Sequence, residues 1–306
     1  MSTPSFNIGA VERETGLSKD LLRMWERRYG FPRPARDAGG ERLYSSGEVS
    51  KLRAIKRLMD VGLRPGKIVH QSLDDLNALA DARTAARGEA ARPAFEKDIL
   101  GLLRSHDTAS LQHLLAQLVM GQGLQKFVLE SVTPLNRAVG DAWMRGELQV
   151  FEEHLYTEQL QVALRAAINA FPRAAAGTPR VLLTTFPNEL HSLGLLMVEA
   201  LLVPEGAQCV SLGTQTPIED IRRAVIAHRA AILALSFSAA FPLRSAIEGL
   251  ESLRGMLPQH VTIWAGGEMT RRMRKTIPGI VLIPDLASTI QALRSWRAHW
   301  VPPAAA

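Results

Sequence analysis

The hydrophobic pattern of the chain changes character along its length. From about residue 180 to 300, short and almost wholly apolar runs, RVLLTTF, AQCVSLG, AILALSFS, VTIWAGG and GIVLIPD, alternate with amphipathic stretches. Runs this short, each followed by helical spacing, predict about five strand-helix units. Strands that are apolar on both sides suit a parallel sheet covered by helices on both faces. Residues 178–300 are therefore expected to form a doubly wound parallel α/β domain, with any ligand at the carboxyl ends of the strands. The segment 94–172 has helical periodicity alone, as in LQHLLAQLVMGQGLQKFVLESV and FEEHLYTEQLQVALRAAI, and predicts an all-α four-helix bundle. Two breaks, ADARTAARGEAARP at 80–93 and FPRAAAGTPR at 171–180, are rich in small residues and proline. Residues 76–93 are read as a linker.

Composition narrows the class. With 306 residues and 46% hydrophobic content the chain can bury more than one core. Its one cysteine, Cys209, excludes a disulfide framework and a cysteine metal site, which fits a reducing cytoplasm. No signal pattern opens the chain, and stretches such as LGLLMVEALLV fall short of the roughly 18 residues a membrane span requires. No membrane role is expected, and the localisation expected is cytoplasmic. Charge is concentrated: residues 1–70 hold 14 Lys and Arg against 8 Asp and Glu, and the rest carries 22 of each. A basic surplus at one end attracts a polyanion, and nucleic acid is the expected partner.

The basic end has a matching pattern. FNIGAVERETGLSKDLLRMWERRYGFPRP opens with a short helix, turns at Gly16 and restarts on Ser18, a good N-cap. Leu21, Leu22, Trp25 and Tyr29 recur at helical spacing and should face a core, leaving Asp20, Arg23, Arg27 and Arg28 outward. The glycine pair in PARDAGGERLY permits a hairpin turn, with Arg42 and Tyr44 on one side of an extended arm that looks like a wing. The order helix-turn-helix, WERRYGFPRP, GGERLY and KLRAIKRLMDVGL resembles the DNA-binding domain of MerR-type transcription regulators over roughly residues 5–72. The resemblance implies a winged helix-turn-helix (α+β) domain over 1–75. It also implies DNA contacts from Arg23, Arg27, Arg28, Arg42 and Tyr44, and dimers or larger homo-oligomers on double-stranded operator DNA.

In the α/β segment, NELHSLG places His191 just after the first strand, where the first strand-to-helix turn must lie. Alone, such a histidine is an ordinary packing or helix-start residue. Ser236, however, closes the third strand, and Gly266 and Gly267 close the fourth, so all three features belong to the ligand-binding edge. Small residues there let a large flat group approach the backbone. Neutral imidazole is a good nitrogen donor to a metal, and a carboxylate two residues away can orient the ring through its other nitrogen. Glu189-x-His191-x-x-Gly194, Ser236 and Gly266-Gly267 resemble the cobalamin-binding signature of corrinoid proteins, a flavodoxin-like fold. That pattern usually has Asp at the Glu189 position and Ser-x-Leu where Ser236-Phe237-Ser238 stands. The resemblance implies His191 as the cobalt ligand and the serine and glycines as receivers of the nucleotide tail.

In the bundle, WMRGELQVFEEH ends one helix at Trp143, turns through Gly146 and starts another, on which Val150 and His154 share a face beside Glu153. By themselves these are core and surface residues of a bundle. In identity and spacing, Trp143, Val150, Glu153 and His154 resemble the cap above the corrin in the CarH/LitR family of light-sensing MerR-type repressors, which use adenosylcobalamin. The resemblance extends over nearly the whole chain in the same domain order. It implies a repressor that assembles on DNA in the dark as a tetramer of head-to-tail dimers and dissociates when light breaks the cobalt-carbon bond. One position departs. Met144 stands where well-known members have a histidine that takes the upper cobalt position after photolysis, and thioether is a poorer ligand for Co(III) than imidazole. His154, water, a different upper ligand and a different chromophore all remain open there.

Two other readings are weighed. A corrinoid methyltransferase or mutase component would share the bundle and α/β pair but lacks a substrate-activating segment here. A MerR-type regulator could instead sense another pigment or a partner protein; His191, Gly194 and the double glycine count against loss of cobalamin. No P-loop, no Gly-x-Gly-x-x-Gly and no sequence-evident base for Ser236 occurs. Binding and switching, not catalysis, is the expected activity.

Overall fold

In a computed structural model of the chain, the described residues are 5–37, 39–85, 94–172, 179–273 and 276–299. The chain divides into two compact units, one of residues 1–100 and 137–153, the other of residues 101–136 and 154–306.

The first unit begins with β1 (Ser5–Asn7), α1 (Ile8–Thr15), α2 (Lys19–Tyr29), β2 (Ala35–Arg36), β3 (Arg42–Ser45), α3 (Ser46–Asp60), α4 (Pro65–Ile68) and α5 (Leu73–Ala85). Its helix boundaries follow capping chemistry. Gly16 ends α1 at φ 67°, a left-handed turn that glycine adopts without strain, and the Ser18 hydroxyl accepts the Leu21 amide at 3.2 Å to start α2. Ser45 and Glu48 form a reciprocal capping box on α3. The antiparallel sheet has the order β1-β3-β2, with β3 in the middle. Val11, Leu22, Trp25, Tyr44, Leu52, Ile55 and Leu76 share one buried cluster. Within the segment read as a linker, residues 76–85 are helical and contribute Leu76 and Ala80 to that cluster, while residues 86–93 lie outside the described residues.

The middle of the chain is helical, as its periodicity predicts: α6 (Ala94–Arg104), α7 (Thr108–Gln122), α8 (Leu124–Lys126) continuing through a π-helical turn at Phe127–Val132 into α9 (Thr133–Met144), and α10 (Val150–Asn169).

In the second unit all five apolar runs are strands: β4 (Arg180–Thr184), β5 (Gln208–Gly213), β6 (Ile232–Ser236), β7 (Thr262–Gly266) and β8 (Ile280–Ile283). They pair in parallel in the order β5-β4-β6-β7-β8, the flavodoxin-like arrangement. The helices between them are α11 (Leu193–Leu202), α12 (Ile218–Ala227), α13 (Leu243–Met256) and α14 (Ala287–His299). Alternate residues of β4 feed opposite faces: Val181 and Leu183 join the cluster containing Leu195 and Leu293, and Leu182 joins that containing Ile221 and Leu250. Helix α11 is apolar nearly all round because it is covered twice, by the sheet and by the helical part of its own unit. Gln125 donates to the Leu201 carbonyl at 3.0 Å, Arg165 pairs with Glu199 at 2.8 Å, and the Asn136 amide meets the Met197 sulfur at 3.4 Å. Burial raises the pKa of the Glu199 carboxyl, and Arg165 opposes that rise. The chain leaves β4 toward β5 on one side and returns to β6 on the other. The crevice where ligands bind in such sheets lies between β4 and β6.

Candidate cofactor site and DNA-binding face

On the first unit, α2 buries Leu22 and Trp25 and exposes Arg23, Arg27 and Arg28, as its spacing predicts. The Trp25 and Tyr29 rings meet edge-on with centroids 6.4 Å apart, and the Arg28 guanidinium lies 5.3 Å from the Tyr29 centroid, so the basic face stands on a rigid aromatic base. Arg42 is half-buried and bonded to Glu26 at 2.8 Å, which raises its pKa and ties the hairpin to α2. Tyr44 corrects an expectation. Its side chain is 0% exposed and its hydroxyl is buried without a hydrogen-bond partner, so it does not reach DNA in this arrangement. The reason is that the face of β3 carrying Arg42 and Tyr44 is the one the helices pack against: Arg42 bonds Glu26 of α2 and Tyr44 joins the apolar cluster.

On the second unit the loop after β4 is built around Glu189. Its side chain is 1% exposed, against 59% for His191. One carboxylate oxygen accepts the His191 amide at 3.0 Å and stands 2.7 Å from His191 Nδ1; the other accepts the Ser238 amide at 2.7 Å. Burial alone would raise the Glu189 pKa, but the hydrogen bonds from His191 and Ser238 outweigh it and hold the carboxyl below the usual range. With an ionised carboxylate at Nδ1, that nitrogen carries the hydrogen and Nε2 carries the ring's lone pair. The loop is also clamped at its backbone: the Thr185 hydroxyl donates to the Glu189 carbonyl at 2.8 Å and accepts the Gln215 amide at 2.9 Å.

The neighbouring elements converge on this loop. Ser236 and Gly266 are register partners at the ends of β6 and β7, and the Phe237 amide donates to the Gly266 carbonyl at 3.0 Å. A Cβ on Gly194 would stand 2.6 Å from the Ser236 hydroxyl. A Cβ on Gly267, which has φ 102°, would stand 2.2 Å from the Phe237 carbonyl oxygen. Glu189, His191, Gly194, Ser236, Gly266 and Gly267 therefore meet on one sheet edge. Thr185, Ser238 and the cluster of Phe186, Phe237 and Phe241 beneath the loop were not read from the sequence. The TTF that ends the first apolar run was the available signal for Thr185 and Phe186, since a polar pair closing a buried strand has to find partners.

Trp143, Val150 and Glu153 belong to the first unit and His154 to the second. Trp143 is half-buried and packs on the apolar cluster of the DNA-binding head, and Met144 is a 2% exposed member of that cluster. Val150 and Glu153 are half-buried, and His154 is exposed one turn after Val150 on α10. Among the described residues no group of three or more His, Cys, Asp or Glu side chains could hold a bare metal ion, and no helix is long and apolar enough to cross a membrane.

Residues 6–70 match the family described as MerR HTH family regulatory protein, and residues 96–168 and 179–293 each match a family described as B12 binding domain. The fold and these matches define a class: a DNA-binding transcription regulator of MerR type whose remaining two thirds are cobalamin-binding domains. The HTH-type transcriptional repressor CarH of Myxococcus xanthus is 31% identical over 279 residues, covering 89% of this chain and 91% of that protein. The HTH-type transcriptional repressor CarA of the same organism is 32% identical over 276 residues, covering 89% and 90%. The chain belongs to this CarH/CarA family of transcriptional repressors, and it is a regulator, not an enzyme. In fold, 65% of this chain has a counterpart in the monomethylamine corrinoid protein of Methanosarcina barkeri, with TM-score 0.51 and 16% identity over 96% of that chain.

Proposed function

We propose that this chain is a light-sensing repressor that holds adenosylcobalamin, binds double-stranded operator DNA in the dark as a homodimer or tetramer, and leaves it on illumination. The observation that carries the proposal is the Glu189–His191 pair at 2.7 Å on the ligand edge of the sheet, in a chain whose other end is a basic helix-turn-helix. The residues fit the cofactor. His191 Nε2 would hold the cobalt of the corrin, with the imidazole ring oriented from behind by Glu189. Gly194, Ser236, Gly266 and Gly267 would receive the nucleotide tail; the elements meet there as closely as glycine allows, since a Cβ would meet the Ser236 hydroxyl at Gly194 and the Phe237 carbonyl oxygen at Gly267. Trp143, Val150, Glu153 and His154 are assigned to the upper face. Met144, buried among the apolar residues of the head, is assigned no ligand role.

When bound, adenosylcobalamin supplies a cobalt-carbon bond that visible light breaks. The protein's part is linkage: an intact upper group favours the assembling conformation, and its loss withdraws that bias. Functionally, residues 1–75 read DNA, 94–172 cover the cofactor and 178–300 hold it. The test is an operator mobility shift with adenosylcobalamin-loaded protein in the dark and after illumination. Retardation lost on illumination, and much weakened in the dark for His191→Ala, supports the proposal; retardation that ignores both light and cofactor contradicts it.

A further inference from the structure

The contact made by the end of α9 within the first unit is not accounted for by either cofactor or DNA binding. Met144 lies in the same apolar cluster as Leu52, Ile55 and Leu76 of the DNA-binding head, and Trp143 packs on that cluster. Arg57 of α3 donates through Nη1 to the Trp143 carbonyl at 3.4 Å. Gly146, at φ 73°, closes the turn so tightly that a Cβ there would lie 2.9 Å from Arg57 Nη1. A cavity of about 250 Å³ opens beside this contact, lined by Arg53, Lys56, Arg57, Trp143 and Arg145 among others.

The charges are not balanced. Arg53 pairs with Glu14, Lys56 with Asp60 and Arg145 with Glu147, whereas Arg57 has no carboxylate partner among the described residues. Its Nε is buried without a hydrogen-bond partner, and burial together with Arg53 disfavours its charge. A half-buried cation without a carboxylate partner opposes docking, while burial of Met144 and part of Trp143 favours it. Two opposed contributions at one contact are what a switchable element requires.

We infer that the head face formed by α1, α3 and α5 is the seat for the turn Trp143–Val150, and that Arg57 is the positioning residue through which this turn acts on DNA binding. The inference rests on the regulatory reading above and assigns the turn a second role as the link from sensory half to head. Seating holds α1 and α3 in one arrangement, and with them α2, which packs on the same cluster and carries the exposed arginines; release frees them.

The test uses the full chain without cofactor. Hydrogen exchange is followed in peptides covering 141–150 and α3, and operator affinity is measured on the same samples. Met144→Asp should speed exchange in both peptides about tenfold and change operator affinity at least about fivefold, the low end of ordinary coupling between sites. Arg57→Met keeps the apolar stem and removes the unpaired charge together with the long bond to the Trp143 carbonyl at 3.4 Å, the smaller of the two effects. It should slow exchange and shift operator affinity in the opposite direction. It also serves as the test should Met144→Asp not fold. Exchange and affinity unchanged in Arg57→Met, or moved in the same direction by both variants, overturn the inference. Spectral titration of wild type with adenosylcobalamin separates the two claims: no binding sinks the cofactor proposal while the exchange comparison still decides the seat.

Discussion

Replacing Glu189 by Gln perturbs the cofactor site with the least change in shape. The carboxylate receives the His191 amide at 3.0 Å, His191 Nδ1 at 2.7 Å and the Ser238 amide at 2.7 Å. A glutamine has one carbonyl oxygen, so its NH2 must face either the His191 donors or the Ser238 amide. At least one buried donor then loses its acceptor, at about 1–3 kcal/mol, and the remaining bonds fall from charge-assisted to neutral strength, about 1 kcal/mol more. Not all of this reaches the cobalt. Removal of a partner that orients a metal-bound histidine costs on the order of 10- to 100-fold in metal affinity, and that is the expected loss in adenosylcobalamin affinity. The assay is a visible-absorbance titration in the dark on wild type, Glu189→Gln, His191→Ala and the double variant. Because Glu189 acts through the ring, the double variant should bind no more weakly than His191→Ala alone. Glu189→Gln binding within about twofold of wild type, or losses that add in the double variant, would refute the orienting role.

Other outcomes follow from the same geometry. Because the folded-state pKa of Glu189 is depressed, its stabilising contribution is present above the ordinary carboxylate pKa of about 4.3 and is lost as pH falls through the folded value. The stability difference between apo wild type and Glu189→Gln, measured by denaturant unfolding, should shrink as pH falls below about 5; a difference that persists or grows below that pH contradicts the assignment. Gly267→Ala places a Cβ 2.2 Å from the Phe237 carbonyl oxygen at φ 102° and should destabilise by about 2–4 kcal/mol, combining backbone strain and overpacking. A change below about 0.5 kcal/mol would mean the β7 end is not confined as described. Arg27→Ala and Arg23→Ala should each weaken operator binding, and loss of a phosphate contact should lower the salt slope by about 1. Tyr44→Phe should leave operator affinity unchanged, because its hydroxyl is buried without a partner; a loss of affinity would restore Tyr44 to the DNA face.

How much of this was legible in the sequence depends on the range of the interaction. The five strands of the α/β domain appear as apolar runs because both faces of each are covered, and the caps at Ser18 and Gly16 act within a few residues. Glu189 and His191 are two residues apart, so their hydrogen bond was foreseeable from spacing. Ser238 was not, because it contributes a backbone amide, which any residue but proline possesses. Tyr44 was misplaced because alternation assigns residues to two faces without saying which one is covered; that depends on where the helices pack. The docking of Trp143 and Met144 on the head joins positions some 86 residues apart in sequence, as in the Arg57 contact, and local periodicity carries no trace of it.

The most direct test of the account is the visible spectrum of the purified protein mixed with adenosylcobalamin in the dark and then illuminated, with size-exclusion chromatography of both samples. The account predicts that cobalamin co-elutes with the protein in the dark, that light changes its spectrum, that the protein then elutes at smaller size, and that His191→Ala retains little cofactor. Cobalamin that elutes apart from wild-type protein would contradict it and return the Glu189–His191 pair to an ordinary structural contact.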